Sequence, residues 1–171
     1  ADGMGGHEAG DRASAAAVAA FSGFSGQTSV VLDEVRSALG HAREAVEAIA
    51  IEGGGRAGTT LSGVVLSTVD ATGYWLAFNI GDSRTYRLAD GELEQITVDH
   101  SVVQELIDAG ELSPAEAVVD RRRNIITRAI GAGSSGEADY WLFPAERGDR
   151  VLVCSDGVTA ELSDAAIREI L

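Results

Sequence analysis

The chain has 171 residues, 45% of them apolar, and a formal charge of −14. That length suits one domain with a sizeable core, and the charge excludes a nucleic-acid binder, which needs a basic face. No apolar run reaches the ~20 residues of a membrane-spanning helix, and the single cysteine, Cys154, excludes an internal disulfide and points to a reducing, cytoplasmic setting.

All thirteen basic residues are Arg, so a Walker P-loop, which needs a Lys on its phosphates, is also excluded. In chain order, residues 11–21 are rich in helix formers after Gly10 and predict a helix. GFSGQT at 23–28, around Ser25, reads as a loop. A long helix is predicted from Ser29, with Leu32, Val35, Leu39, Ala42, Val46 and Ile49 forming one apolar stripe and Gly53, Gly54 and Gly55 ending it. From Thr59 the texture turns β-prone: TTLSGVVLSTV, a DATG turn, YWLAFNIG, then a hairpin over TYRLADGELEQIT with Asp90-Gly91 at its tip. Two short helices follow, each opened by a capping box, Ser101 with Gln104 and Ser113 with Glu116. They interrupt the β region and are expected to stand off it as a flap. YWLFP and RVLVCS predict two more strands around a Gly-Asp turn, and Ser163 caps a last helix. Consecutive strands without alternating helices give an α+β class with antiparallel pairing.

Three acids each adjoin a glycine at predicted strand ends: Asp2 with Gly3, Asp82 after Gly81, and Asp156 before Gly157. Carboxylates brought together repel unless a counter-charge sits among them, and oxygen donors of this kind suit hard divalent cations. Read singly, each is an ordinary turn residue; the set of three suggests a metal site. Several other motifs fail. Gly3-Met4-Gly5 has Glu8 where a dinucleotide fingerprint needs glycine, and His7-Glu8 has Asp11 where a zincin needs histidine. Cys154 lacks the downstream Arg of a thiol phosphatase and reads as a buried structural residue.

DGMGGHEAG at 2–10, GTTL at 58–61, NIGDSR at 79–84, DHS at 99–101, NIITRAIG at 124–131 and CSDGV at 154–158 resemble, in order and spacing, the metal-dependent type 2C serine/threonine protein phosphatases. This is the PPM family, in the bacterial form that opposes eukaryotic-like kinases. The resemblance implies a central antiparallel β-sandwich flanked by helices, with a helical flap at about 101–123. It implies two Mn²⁺ or Mg²⁺ ions, with a third in bacterial members. Asp2 is expected to bridge two ions, the Gly3 carbonyl to touch one, Asp156 to bind the other, and Asp82 with Asp156 to hold the third. Asp2 and Asp156 are thereby the catalytic acids, and a water activated by the metals hydrolyses phosphoserine or phosphothreonine in proteins. The implied partners are phosphorylated proteins, among them a kinase and its substrates, and a monomer is expected.

Members of the family begin before the position of Asp2, with a phosphate-binding Arg and an acidic contact, and continue to a further Asp. The chain is therefore expected to be a single phosphatase domain without its N-terminal strand segment and C-terminal segment. Met4 stands where eukaryotic members carry a His, and His7 is expected to be structural. Arg84 is expected either to brace Asp82 or to form a plain salt bridge, and Arg121, Arg122 and Arg123 either to meet acidic substrates or to be a solvated run. The alternative function is a non-catalytic relative that binds phosphoproteins or a regulatory partner.

Overall fold

The structure is a computed structural model that describes residues 1–52, 57–134 and 136–171. Its elements are β1 (Gly3–Met4), α1 (His7–Ala19), α2 (Leu32–Glu52), β2 (Gly58–Thr59), β3 (Leu61–Val69), β4 (Thr72–Ile80), β5 (Arg84–Ala89) and β6 (Glu92–Gln95). There follow α3 (Val102–Asp108), α4 (Pro114–Ala117), β7 (Ile130–Gly131), β8 (Asp139–Pro144), β9 (Arg150–Cys154), α5 (Asp156–Thr159) and α6 (Asp164–Ile170).

The strands form three sheets, ordered β1-β2-β7, β3-β4-β8 and β6-β5-β9, with every pairing antiparallel. Two hairpins follow the sequence reading. Asp70 and Ala71 turn β3 into β4 with φ of 47° and 63°, and Asp90 and Gly91 turn β5 into β6 with φ of 50° and 80°. Two left-handed residues in a row match the twist of the strands they join.

The run of strands is not one meander. β4 pairs with β3 and β8, whereas β5 pairs with β6 and β9. The chain therefore crosses from one sheet to the other at residues 81–83, and again between β8 and β9. The sheets face each other across a partly polar interior. Ser62 and Thr85 share a hydrogen bond of 3.0 Å, and the Arg87 guanidinium lies 5.7 Å from the Phe143 ring centre. The buried Asp149 carboxylate accepts from Arg87 at 2.9 Å, the Trp75 indole at 3.0 Å and the Glu146 amide at 3.0 Å.

Helices α1 and α2 cover the outer face of β3-β4-β8. Ala13, Ala17, Val35, Leu39, Ala42 and Val46 pack there with Leu61, Leu76, Phe78 and Ile80. Each large side chain so buried contributes about 1.5–3 kcal/mol. The predicted stripe is the one buried, with Leu32 and Ile49 at its partly covered ends. α6 covers the other sheet: Ile167 packs with Tyr86 and Cys154, and Cys154 is a buried free thiol as expected.

Two helix starts differ from the sequence reading, and Ser22–Phe24, at the edge of the segment read as a loop, forms a single 3₁₀ turn. α1 begins at His7, with Gly6 at its N-cap, and runs through Gly10, because Gly10 is a contact point inside the helix and not the residue before it. α2 begins at Leu32; the Glu34 carboxylate accepts from the Val31 amide at 2.9 Å and closes its first turn. Gly53, Gly54 and Gly55 lie outside the described residues. The Ser113–Glu116 capping box is complete. At Ser101 only half forms, because the Gln104 amide donates instead to Asp108 at 2.8 Å. Among the described residues no helix is long and apolar enough to cross a membrane.

Candidate metal centre

Asp2 is held by its own main chain. Its N–H donates to the Thr60 hydroxyl at 2.9 Å, and its carbonyl accepts from the Thr60 N–H at 2.9 Å and from the Thr59 hydroxyl at 3.0 Å. The Thr60 oxygen accepts from Asp2, so its own proton is free for the Ser83 hydroxyl 2.7 Å away. One buried threonine thus ties the residue before β1 to the residue after Asp82. Beside them Gly3 and Gly10 pack backbone to backbone: a Cβ on Gly3 would lie 2.0 Å from the Gly10 carbonyl oxygen. The glycines at the start of the chain let α1 close directly onto β1.

Asp82 sits on the crossover between the sheets. Gly81 before it has φ of 101°, and a Cβ there would lie 2.5 Å from the Thr60 methyl. Its N–H donates to His100 Nδ1 at 3.1 Å. Its carbonyl accepts from the His100 N–H at 2.9 Å and from the Asn79 amide at 3.0 Å. Arg84 on the other side does not brace Asp82. It is committed to Asp99, with contacts of 2.9, 3.2 and 2.6 Å, and to the Tyr86 hydroxyl at 3.0 Å, so the plain salt bridge is the outcome.

Asp156 is the first residue of α5, following β9, and is exposed. Asp2, by contrast, precedes its strand instead of following one. The three acids nevertheless sense one another. Asp2 is raised above the ordinary carboxylate range by burial, then by a hydrogen-bonding contact with Asp156 and by that acid's charge. Asp82 is pushed up to about 6 by burial, then by the charge of Asp156, with smaller contributions from Asp99 and Asp2. Like charges gathered this way disfavour ionisation.

Among the described residues no three His, Cys, Asp or Glu side chains close into a ready-made cation cage. The donor set itself fits a hard divalent ion: oxygen atoms only, the carboxylates among them in mutual repulsion that a cation would remove.

The segment expected to form a flap is joined to the chain beside the Asp82 crossover. Ser101 bridges Ile126, Val102 donates to the Ile125 carbonyl at 2.9 Å, and Thr127 donates to the His100 carbonyl at 2.8 Å. Arg122 pairs with Asp120 at 2.8 Å on the surface, in line with a solvated run, while Arg121 and Arg123 are exposed. His41 is exposed on α2, and the side chain of His7 lies outside what is described. Thr60, Asn79, Asp99 and His100 were not assigned roles from sequence, although each lies in or beside a motif. Only their partners reveal them.

Antiparallel sheets packed against one another and flanked by helices define the class of fold. The chain belongs to the protein phosphatase 2C family, whose model matches residues 1–170. It is 36% identical over 179 residues to the serine/threonine phosphatase stp of Listeria innocua, covering 100% of this chain and 69% of that protein. The crystal structure of the Mycobacterium tuberculosis serine/threonine phosphatase PstP/Ppp superposes with a TM-score of 0.85 at 34% identity, over 98% of this chain and 71% of that one. The catalytic domain of PstP in complex with 2 manganese ions gives a TM-score of 0.84 at 34% identity, over 98% and 70%.

Proposed function

We propose that Asp2, the Gly3 carbonyl, Asp82 and Asp156 hold the Mn²⁺ or Mg²⁺ ions with which this protein phosphatase hydrolyses phosphoserine and phosphothreonine in proteins. The assignment is supported by the buried Thr60, which ties Asp2 to the residue after Asp82, and by the charge of Asp156, which acts on both acids. When bound, the ions supply a water of near-neutral acidity and offset charge on the phosphoryl oxygens. The chain's own residues do the aiming. Thr59 and Thr60 fix the Asp2 backbone, and the Thr60–Ser83 hydrogen bond sets its distance from the Asp82 crossover. Arg84 is spent on Asp99 and offers no guanidinium to phosphate. The kinase of the same cell and that kinase's substrates are the proposed targets. The chain is read as a monomer in the cytoplasm, a setting that suits its one unpaired, buried thiol.

The test is Mn²⁺-dependent hydrolysis of a phosphothreonine peptide by the full-length protein and its Asp156→Asn variant. The expected loss exceeds the roughly 10–100-fold typical of residues that only support a ligand. A folded wild type that stays inactive with metal supplied would instead favour the non-catalytic phosphoprotein binder.

A further inference from the structure

His100 is a multiply bonded, buried side chain that the catalytic reading leaves unused. It is 5% exposed and stands between the Asp82 crossover and the flap. On the crossover side, ring and main chain grip both backbone groups of Gly81: Nδ1 accepts from the Gly81 N–H at 3.1 Å, and the His100 N–H donates to the Gly81 carbonyl at 2.9 Å. On the flap side its carbonyl accepts from Thr127 at 2.8 Å, and the next residue, Ser101, both bridges Ile126 and caps α3. Asp99, the residue before it, holds Arg84. The tandem 99–100 therefore clamps the chain on both sides of Asp82, while residues 100–102 and 125–127 form the flap's two roots.

The ring state follows from these partners. Nδ1 receives a hydrogen, so it carries none of its own, and the proton is on Nε2. Nε2 lies 3.1 Å from Asp139 Oδ2, which is the acceptor that tautomer needs. Arg128 donates to the other Asp139 oxygen at 3.0 Å and lies 3.3 Å from Nε2. Asp139 thus orients the imidazole, Arg128 neutralises Asp139, and the imidazole fixes a peptide adjacent to Asp82.

We propose that His100 is a positioning residue, which aims the Asp82 carboxylate by holding the Gly81 peptide and ties that aim to the base of the flap. The proposal rests on Asp82 being a cation ligand. It goes beyond that reading by naming the group that sets the ligand's orientation and the element that can disturb it. A flap displaced by a protein substrate pulls on residues 100–102 and 125–127, and through His100 on the peptide before Asp82.

The test uses the full-length protein and two isosteric variants. Asn at 100 offers an amide oxygen near the place of Nδ1 and keeps an acceptor for the Gly81 N–H. Gln reaches toward Asp139 and does not. Three readouts are combined: the imidazole tautomer by nitrogen-15 NMR, hydrogen exchange of the Gly81 amide, and Mn²⁺ binding by calorimetry, with Asp82→Asn as reference.

The wild type is expected to show the Nε2–H tautomer. His100→Gln is expected to speed Gly81 exchange about tenfold and to weaken by about tenfold or more the ion that Asp82→Asn also weakens. His100→Asn is expected to restore both most of the way at equal or lower melting temperature. Three results would overturn the proposal: an Nδ1–H tautomer, unchanged Gly81 exchange in His100→Gln, or equal loss in Asn and Gln. If Asp82→Asn leaves Mn²⁺ binding intact, the metal assignment of Asp82 fails, and the tautomer and exchange results alone decide whether His100 holds the turn.

Discussion

Replacing Gly3 by Ala isolates the contact that brings Asp2 to its place. The added Cβ would stand 2.0 Å from the Gly10 oxygen and 2.4 Å from its carbonyl carbon, where distances under 3.0 Å essentially never occur. Both partners are backbone, so no side chain can turn aside. β1 and α1 must separate by about 1 Å, the difference between 3.0 and 2.0 Å. Overpacking ordinarily costs about 1–3 kcal/mol; a rigid partner places this case near ~3 kcal/mol, out of a total of roughly 5–15 kcal/mol. For a chain of this size that lowers Tm by about 6–12 °C. The control is Gly40→Ala, in the middle of α2, where a Cβ meets nothing within 4 Å. It is expected to stabilise by about 0.5–1 kcal/mol. Thermal and urea unfolding followed by circular dichroism measure both. A Gly3→Ala protein that melts with the wild type would refute the claim that the first glycines serve this close approach.

Asp149→Ala removes the closest partner of the half-buried Arg87 guanidinium, the Asp149 carboxylate at 2.9 Å, leaves it Glu146 at 3.5 Å, and should cost about 1.5–3 kcal/mol in urea unfolding. Burial alone would raise Asp149, but its bonds from Arg87, the Glu146 amide and Trp75 outweigh that and hold it below the ordinary range. A carboxylate depressed in the folded state stabilises above the unfolded value near about 4 and loses that contribution as pH falls further. The stability gap between wild type and Asp149→Asn should therefore be full at pH 7 and shrink below about pH 4; a gap independent of pH would contradict this. Ser113→Ala removes the complete box at α4 and should destabilise that turn by about 0.5–2 kcal/mol, seen as faster amide exchange at Glu116 with an unchanged global Tm. Gly81→Ala meets both an unfavourable φ of 101° and the Thr60 methyl at 2.5 Å; it should weaken Mn²⁺ binding by displacing Asp82, whereas intact binding would show that the turn does not govern that acid.

The sequence read best where one local signal suffices. The α2 stripe, both hairpin turns and the caps at Ser113 and Ser163 each depend on residues within a few positions of one another, and all are present. Asp2, Asp82 and Asp156 were singled out because acid–glycine pairs are visible in sequence, and the structure brings their charges within mutual influence. What stayed hidden depends on long-range pairing. Nothing in NIGDSR says that β4 and β5 belong to different sheets; that follows from where β8 and β9 pair. Gly10 looked like the residue before the helix because its reason for being glycine, the Gly3 backbone, lies across a turn. Thr60 looked like one more β-prone residue, though its hydroxyl joins residues 58 and 23 positions away. DHS was a motif without chemistry until Arg84 and Gly81 were found against it.

The most direct test of the metal assignment is calorimetric titration of the full-length protein with Mn²⁺, beside Asp2→Asn, Asp82→Asn and Asp156→Asn. At least two ions per chain are expected in the wild type, the number in the PstP complex. Asp2→Asn and Asp156→Asn are each expected to lose high-affinity binding without loss of fold, and Asp82→Asn to lose only the weakest ion. Full Mn²⁺ binding in the Asp2→Asn and Asp156→Asn proteins would contradict the assignment.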